Sequence, residues 1–364
     1  MTPSRAGRAF TAAPLPRAVE ADRHGAGGGG ADGHGSVGGM TTTSAETGLT
    51  LRHRSLTAAL RAVAIMACLP YLGLKIAWIA GSHVGIPDGS ALLDHRLVMA
   101  MANSLTVLMD ASVVVLALLL TRPWGQRVPA LLLAVPMWAA TGLLAPIMIG
   151  LPFQLVGTAI DGSEAPAAAE EPFLNDWVFG VVYGGFVLQG LALGTLFVLY
   201  AGKRWGHLWR GRVWDLPTGA TSTFMRATAV AGSLLALFPA AMHTLWAVGG
   251  TTALPADRVL QRTTPFYLLE GVRVGFAVLA VTAVLLLAFR LRPAMPVRGL
   301  LAAAWVGASA LAAWAGWMIF GAVMPESDEG KQTPALLMLT YAGEMISGLL
   351  LTCAVASLLR RRGA

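Results

Sequence analysis

Two cysteines, Cys68 and Cys353, are all that the chain of 364 residues contains. A disulfide framework is thereby excluded, and without a CxxC spacing so is a zinc site of cysteine type. Charge is scarce as well: 12% of residues are Asp, Glu, Lys or Arg, against about a quarter in an average soluble domain. Catalytic signatures are missing too. The sequence holds no HExxH, no P-loop, no GxSxG and no dinucleotide fingerprint, since "GAGGGG" at Gly25 to Gly30 follows no strand pattern. No catalytic residue, metal site or cofactor is therefore assigned. The pairs His83 and Asp88, and Asp94 and His95, read as a solvated loop.

What fills the space is apolar sequence, 55% of the chain, gathered into blocks. Eight of them approach or exceed the roughly 20 residues that carry a helix across the hydrocarbon core. They run about 56–81, 97–120, 129–151, 175–200, 223–250, 266–290, 299–321 and 335–359. Lipid is the solvent that such blocks require. The third block carries Pro129, Pro136 and Pro146 and no charge follows it until Asp161, so a kink near Pro146 and an interfacial continuation are expected.

The net charge of +7 is explained by position. Eighteen of the 26 Lys and Arg residues fall in residues 1–54, at Arg122 and Arg127, at Lys203, Arg204, Arg210 and Arg212, at Arg290, Arg292 and Arg298, and at Arg360 to Arg362. The alternate loops collect acids instead, among them Asp161, Glu164, Glu170, Glu171, Glu326, Asp328 and Glu329. The positive-inside rule then places both termini in the cytoplasm, and an even number of spans agrees in putting them on one side. A nucleic-acid partner would need the basic residues on one folded face with aromatics between them, and none is expected. The lipid bilayer is the expected partner, together with a small-molecule or ion ligand.

Residues 1–39 are rich in Gly, Ala and Arg and lack the apolar h-region of a signal peptide. They are expected to be disordered, with His24 and His34 solvated, and Met40 is a candidate start. The expected organisation is a cytoplasmic tail over 1–54 and two four-helix membrane units over 55–212 and 213–364.

The two units look like copies. "LPYLGLKIAWIAGS" at 69–82 and "FPAAMHTLWAVGG" at 238–250 share a Pro, a basic residue, a Trp and a Gly in the same order. Trp78 and Trp246 are 168 residues apart, the "R-P" exits at Arg122 and Arg292 are 170 apart, and "YGGFVLQG" at Tyr183 and "YAGEMISG" at Tyr341 are 158 apart. Because each unit has an even number of spans, both insert the same way round. The expected fold class is thus all-α: a polytopic membrane helical bundle of eight transmembrane helices in two parallel four-helix repeats.

Ionisable groups inside a bilayer are costly and usually face the bundle interior. Lys75, His243, Glu270, Arg273 and Glu344 are the candidates for a polar cavity in the outer half of the bilayer, with Asn103, Asp110 and Gln189 as secondary polar candidates. Glu270 and Arg273 are three apart on one helix face; they read either as a self-neutralising pair or as an anion site in which Glu270 holds Arg273. Lys75 is close enough to the membrane surface to snorkel. His243 reads either as a hydrogen-bonded packing residue or as a ligand or proton relay. Trp78 and Trp246 are expected at the interface. Gly180 with Gly184, Gly190 with Gly194, and Gly271 with Gly275 have the GxxxG spacing of close helix packing.

The string "HTLWAVGG", His243 to Gly250, followed by "TTALP", resembles the HxxWxxGG signature of a family of uncharacterised actinobacterial multi-pass integral membrane proteins of about four helices, of which this chain would be a duplicated form. The first half departs from it, with Lys75 for the histidine and one glycine. The resemblance implies a bacterial plasma membrane location and carries no activity. Three function classes follow: a non-enzymatic membrane component, a secondary transporter or permease with a polar cavity, and a membrane-embedded enzyme.

Overall fold

Helix accounts for the structure from the first described residue onward. The computed structural model describes residues 38–88, 90, 96–161, 174–217, 219–260, 262–323 and 332–363. Of the tail expected over 1–54, residues 1–37 with the glycine run and histidines lie outside them, as do Asp94 and His95 and most of the acidic loop residues, whereas 38–54 are helical. Contacts divide the chain into Met1–Thr50 and Leu51–Ala364. Of the first unit, residues 38–50 are described and are helical. Everything below concerns the second.

The long helices are α1 (Gly38–Ile79), α2 (Arg96–Thr121), α3 (Ala130–Asp161), α4 (Asp176–Trp205), α5 (Thr223–Ala247), α7 (Thr264–Phe289) and α10 (Ala335–Gly363). A short α6 (Ala256–Leu260) joins α5 to α7, and the seventh span is α8 (Val297–Ser309) and α9 (Ala315–Ala322) joined by a π-helical turn, Ala310–Trp314. Among the described residues, eight helices are long and apolar enough to cross a membrane. Their outward faces are apolar too: Leu131 is 75% exposed, and Leu108 and Val198 each 68%. In water such a surface would drive association, whereas in lipid it is the normal exterior.

Two larger cores and two smaller ones, the latter around Trp78 and Trp246, lie inside the described residues. Ala64, Cys68, Leu116, Leu133, Leu193 and Leu196 form one within the first four spans, and Met225, Ala229, Ala280, Leu287, Ala304, Leu351 and Leu358 form another within the last four. Helix α3 connects the two groups by packing against α7, α8 and the π turn.

That turn sits at a close approach of three helix backbones. A Cβ on Gly142 of α3 would lie 2.1 Å from the Ser309 carbonyl oxygen, and one on Gly348 of α10 would lie 2.6 Å from that of Ala308. Only glycine leaves room for three helix backbones there, and the widened turn is a π-bulge of the kind common at functional sites. By contrast, a Cβ on Gly180, Gly184, Gly194, Gly271 or Gly275 would meet nothing within 4 Å. The GxxxG spacings are therefore not contact surfaces in this chain, apart from Gly190, which packs on Met148. Helix α3 accepts Pro136, Pro146 and Pro152 and continues to Asp161.

At one end of the bundle the basic residues tie loops together. Arg204 donates to the Val128 carbonyl at 2.7 Å, Arg361 to that of Gly219 at 3.2 Å and Arg362 to that of Arg210 at 3.2 Å, and Arg290 donates to that of Pro217. At the opposite end, α1 and α5 finish in the same turn. The Trp78 indole donates to the Val84 carbonyl at 2.7 Å and the Trp246 indole to the Thr252 carbonyl at 2.8 Å. Gly81 and Gly249 both have positive φ, 92° and 97°, as do Gly85 and Ala253, 78° and 64°. Ile86 and Leu254, which follow, are both buried. The two tryptophans are buried rather than placed at a lipid interface, because each indole caps a backbone carbonyl that the turn would otherwise leave unpaired.

Candidate functional site

Helix α5 brings His243 to a buried position one turn past Pro239, and α7 and α10 bring carboxylates to both sides of the ring. Nδ1 of His243 is 2.5 Å from Oε2 of Glu270, and Nε2 is 3.4 Å from Oε2 of Glu344. The same Glu344 oxygen is 3.3 Å from a terminal nitrogen of Arg273. The Arg273 guanidinium lies 5.7 Å from the Tyr341 ring centroid, and the Tyr341 hydroxyl accepts from Arg258 at 2.8 Å. Spacing explains the convergence: Glu270 and Arg273, and likewise Tyr341 and Glu344, are three apart and share a helix face.

Glu270 and Arg273 do not neutralise each other. Each has its opposite charge on a neighbouring helix, Glu270 with His243 and Arg273 with Glu344. His243, Glu270 and Glu344 are nearly inaccessible, so the pairing satisfies groups that would otherwise be buried without partners at a cost of several kcal/mol each.

Beside this cluster is a cavity of about 280 Å³, near the lower end of the roughly 300–1,000 Å³ usual for ligand pockets. It lies between the two halves of the chain. Glu270, Arg273 and Glu344 line it from α7 and α10, Arg258 from α6, Gln154 from α3 and Tyr183 from α4. The rest of its wall is apolar, including Pro146, Phe266, Leu269, Phe276, Trp314 and Met318. The π turn contributes Ala310 and Trp314.

Lys75 stands elsewhere. Its Nζ is 2.9 Å from Oδ2 of Asp110 and 3.5 Å from the Tyr71 ring centroid, and at 2% exposure it does not snorkel. The side chain points back along α1, as helical side chains do, and so meets Asp110 well inside α2. Gln189 is buried and donates to the Cys68 sulfur at 2.8 Å, and Asn103 donates to the Met99 carbonyl at 2.9 Å within its own helix. Four of the five primary candidates thus converge, and Lys75 with the three secondary ones form separate contacts.

Arg258, Tyr341, Tyr183 and Gln154 were not singled out by the sequence. Tyr183 and Tyr341 count there only as repeat markers. The one signal that pointed to Tyr341 was its spacing from Glu344. Among the described residues no group of three or more His, Cys, Asp or Glu side chains is arranged to hold a metal ion. Compared with known proteins, the chain matches no family model, no curated protein and no solved structure.

Proposed function

We propose that the chain is a bacterial plasma membrane protein of the transporter class, built from two four-helix units inserted in the same direction, which binds a small ligand in the cavity between them. The observation that carries this reading is that Glu270, Arg273 and Glu344 all line one cavity at the junction of the two halves. Polar groups retained only for helix association would be scattered in private pairs, and ionisable groups inside a membrane mark ligand or ion pathways. Support for the repeat comes from the matched turns after α1 and α5, where indole bond, positive φ and buried apolar residue recur at the same offset. The basic residues that bind loop carbonyls at the end carrying Arg361 and Arg362 support a cytoplasmic location for that end. The HxxWxxGG string of His243 to Gly250 supports membership of the actinobacterial family that it resembles.

The private pair Lys75 and Asp110 favours a second reading, a non-enzymatic membrane component whose buried charges hold helices together. Thiol labelling separates the two. With Cys353 replaced by Ala and buried Cys68 kept, a cysteine at Leu269 is treated with a membrane-impermeant methanethiosulfonate reagent in intact cells and in inverted vesicles. The transporter reading expects reaction from at least one side. No reaction from either side would leave the component reading standing.

A further inference from the structure

We infer that the ligand of this cavity is a small zwitterion with an apolar tail, of the chemistry of an apolar α-amino acid; the inference rests on the ligand-binding reading above. Glu270 and Arg273 stand one turn apart on α7, with Cβ atoms about 5–6 Å apart, and both line the cavity. Each is partnered from another helix and not by the other, so a carboxylate head and a guanidinium head face the cavity side by side. An ammonium and a carboxylate on one carbon present the complementary pair.

The lining holds two carboxylates, Glu270 and Glu344, and two guanidiniums, Arg258 and Arg273, so a ligand that carries both an ammonium and a carboxylate finds a counterpart for each. Its ammonium is placed at Glu270 and its carboxylate at Arg273. The remaining wall, with Phe266, Leu269, Phe276, Trp314 and Met318, accepts an aliphatic or aromatic tail. The volume of about 280 Å³ suits a metabolite of amino-acid size.

Protection of the thiol of Leu269→Cys tests this. L-leucine is expected to slow its labelling about ten-fold or more, while N-acetyl-L-leucine and L-leucine methyl ester, each keeping one of the two charges, change it less than about two-fold, because each loses the contact to one of the two heads. Glu270→Gln is expected to abolish protection by leucine, and Arg273→Lys to weaken it without abolishing it, with the melting temperature of each purified variant confirming that it is folded. Equal protection by N-acetyl-L-leucine would overturn the zwitterion in favour of a monocarboxylate. Labelling that no compound slows would overturn the ligand class and leave the open cavity intact. A cysteine that never reacts would overturn both.

Discussion

Lys75→Met tests how the first four spans tolerate charge. Lys75 and Asp110 form a 2.9 Å ion pair with both side chains buried. Removing one partner of such a pair leaves the other as an uncompensated buried charge, which costs about 3–5 kcal/mol. Insertion scales give an independent figure, roughly 2.5–3.5 kcal/mol for an Asp at the centre of a membrane helix. Both put the loss near 3 kcal/mol, about a hundred-fold in the folding constant. Lys75 also sits over the Tyr71 ring, a contact worth up to about 2 kcal/mol when desolvated, so Tyr71→Leu should destabilise and Tyr71→Phe should not. Lys75→Met combined with Asp110→Leu removes both charges and is expected near neutral or stabilising. Reversible unfolding in mixed micelles measures these variants beside wild type and Asp110→Leu alone, which closes the double-mutant cycle. A coupling energy above about 2 kcal/mol identifies an ion pair, because neutral hydrogen bonds between membrane helices average only about 0.6 kcal/mol. If Lys75→Met alone costs less than about 1 kcal/mol, the ammonium has access to water and the burial argument fails.

The glycine contacts at the π turn predict that Gly142→Ala and Gly348→Ala each destabilise by at least about 1–3 kcal/mol, because the new Cβ meets backbone at 2.1 and 2.6 Å. Gly184→Ala, whose Cβ meets nothing within 4 Å, should stay within about 0.5 kcal/mol; equal effects in thermal unfolding of the purified proteins would remove the explanation for the bulge. The two matched turns make opposite predictions. Ala253 is left-handed at φ 64°, so Ala253→Gly should stabilise by about 1 kcal/mol. Gly85→Ala should destabilise by more than that, because it adds the same strain and a Cβ 2.5 Å from the Val178 side chain. Unfolding midpoints check the pair, and a loss of stability in Ala253→Gly would show that the turn is held differently.

Much of the site was visible as residue types and little of it as geometry. His243, Glu270, Arg273 and Glu344 stood out because charge in an apolar block is conspicuous. Their partners did not. Glu270 and Arg273, adjacent on one helix face, pair instead with His243 and Glu344, since α5 and α10 bring countercharges within reach and leave the cavity-facing pair apart. The GxxxG spacings misled for a related reason. A small-residue motif states that close approach is sterically allowed, and only the helix's rotation about its axis decides whether a neighbour is there; Gly271 and Gly275 face open space while Gly142 and Gly348, in no such motif, clasp the π turn.

The membrane-crossing segments followed from sequence because the hydrocarbon thickness is a length, and a run of apolar residues either reaches it or does not. The tryptophan turns were half legible: Trp and Gly marked the place, but the indole bonds to Val84 and Thr252 came from the fold. By itself, then, the sequence determined eight apolar helices and the charges buried among them. Which charge meets which, the π turn and the cavity were decided by tertiary packing, because those depend on the angle at which each helix is turned toward its neighbours, and that angle is set by contacts between residues far apart in the chain.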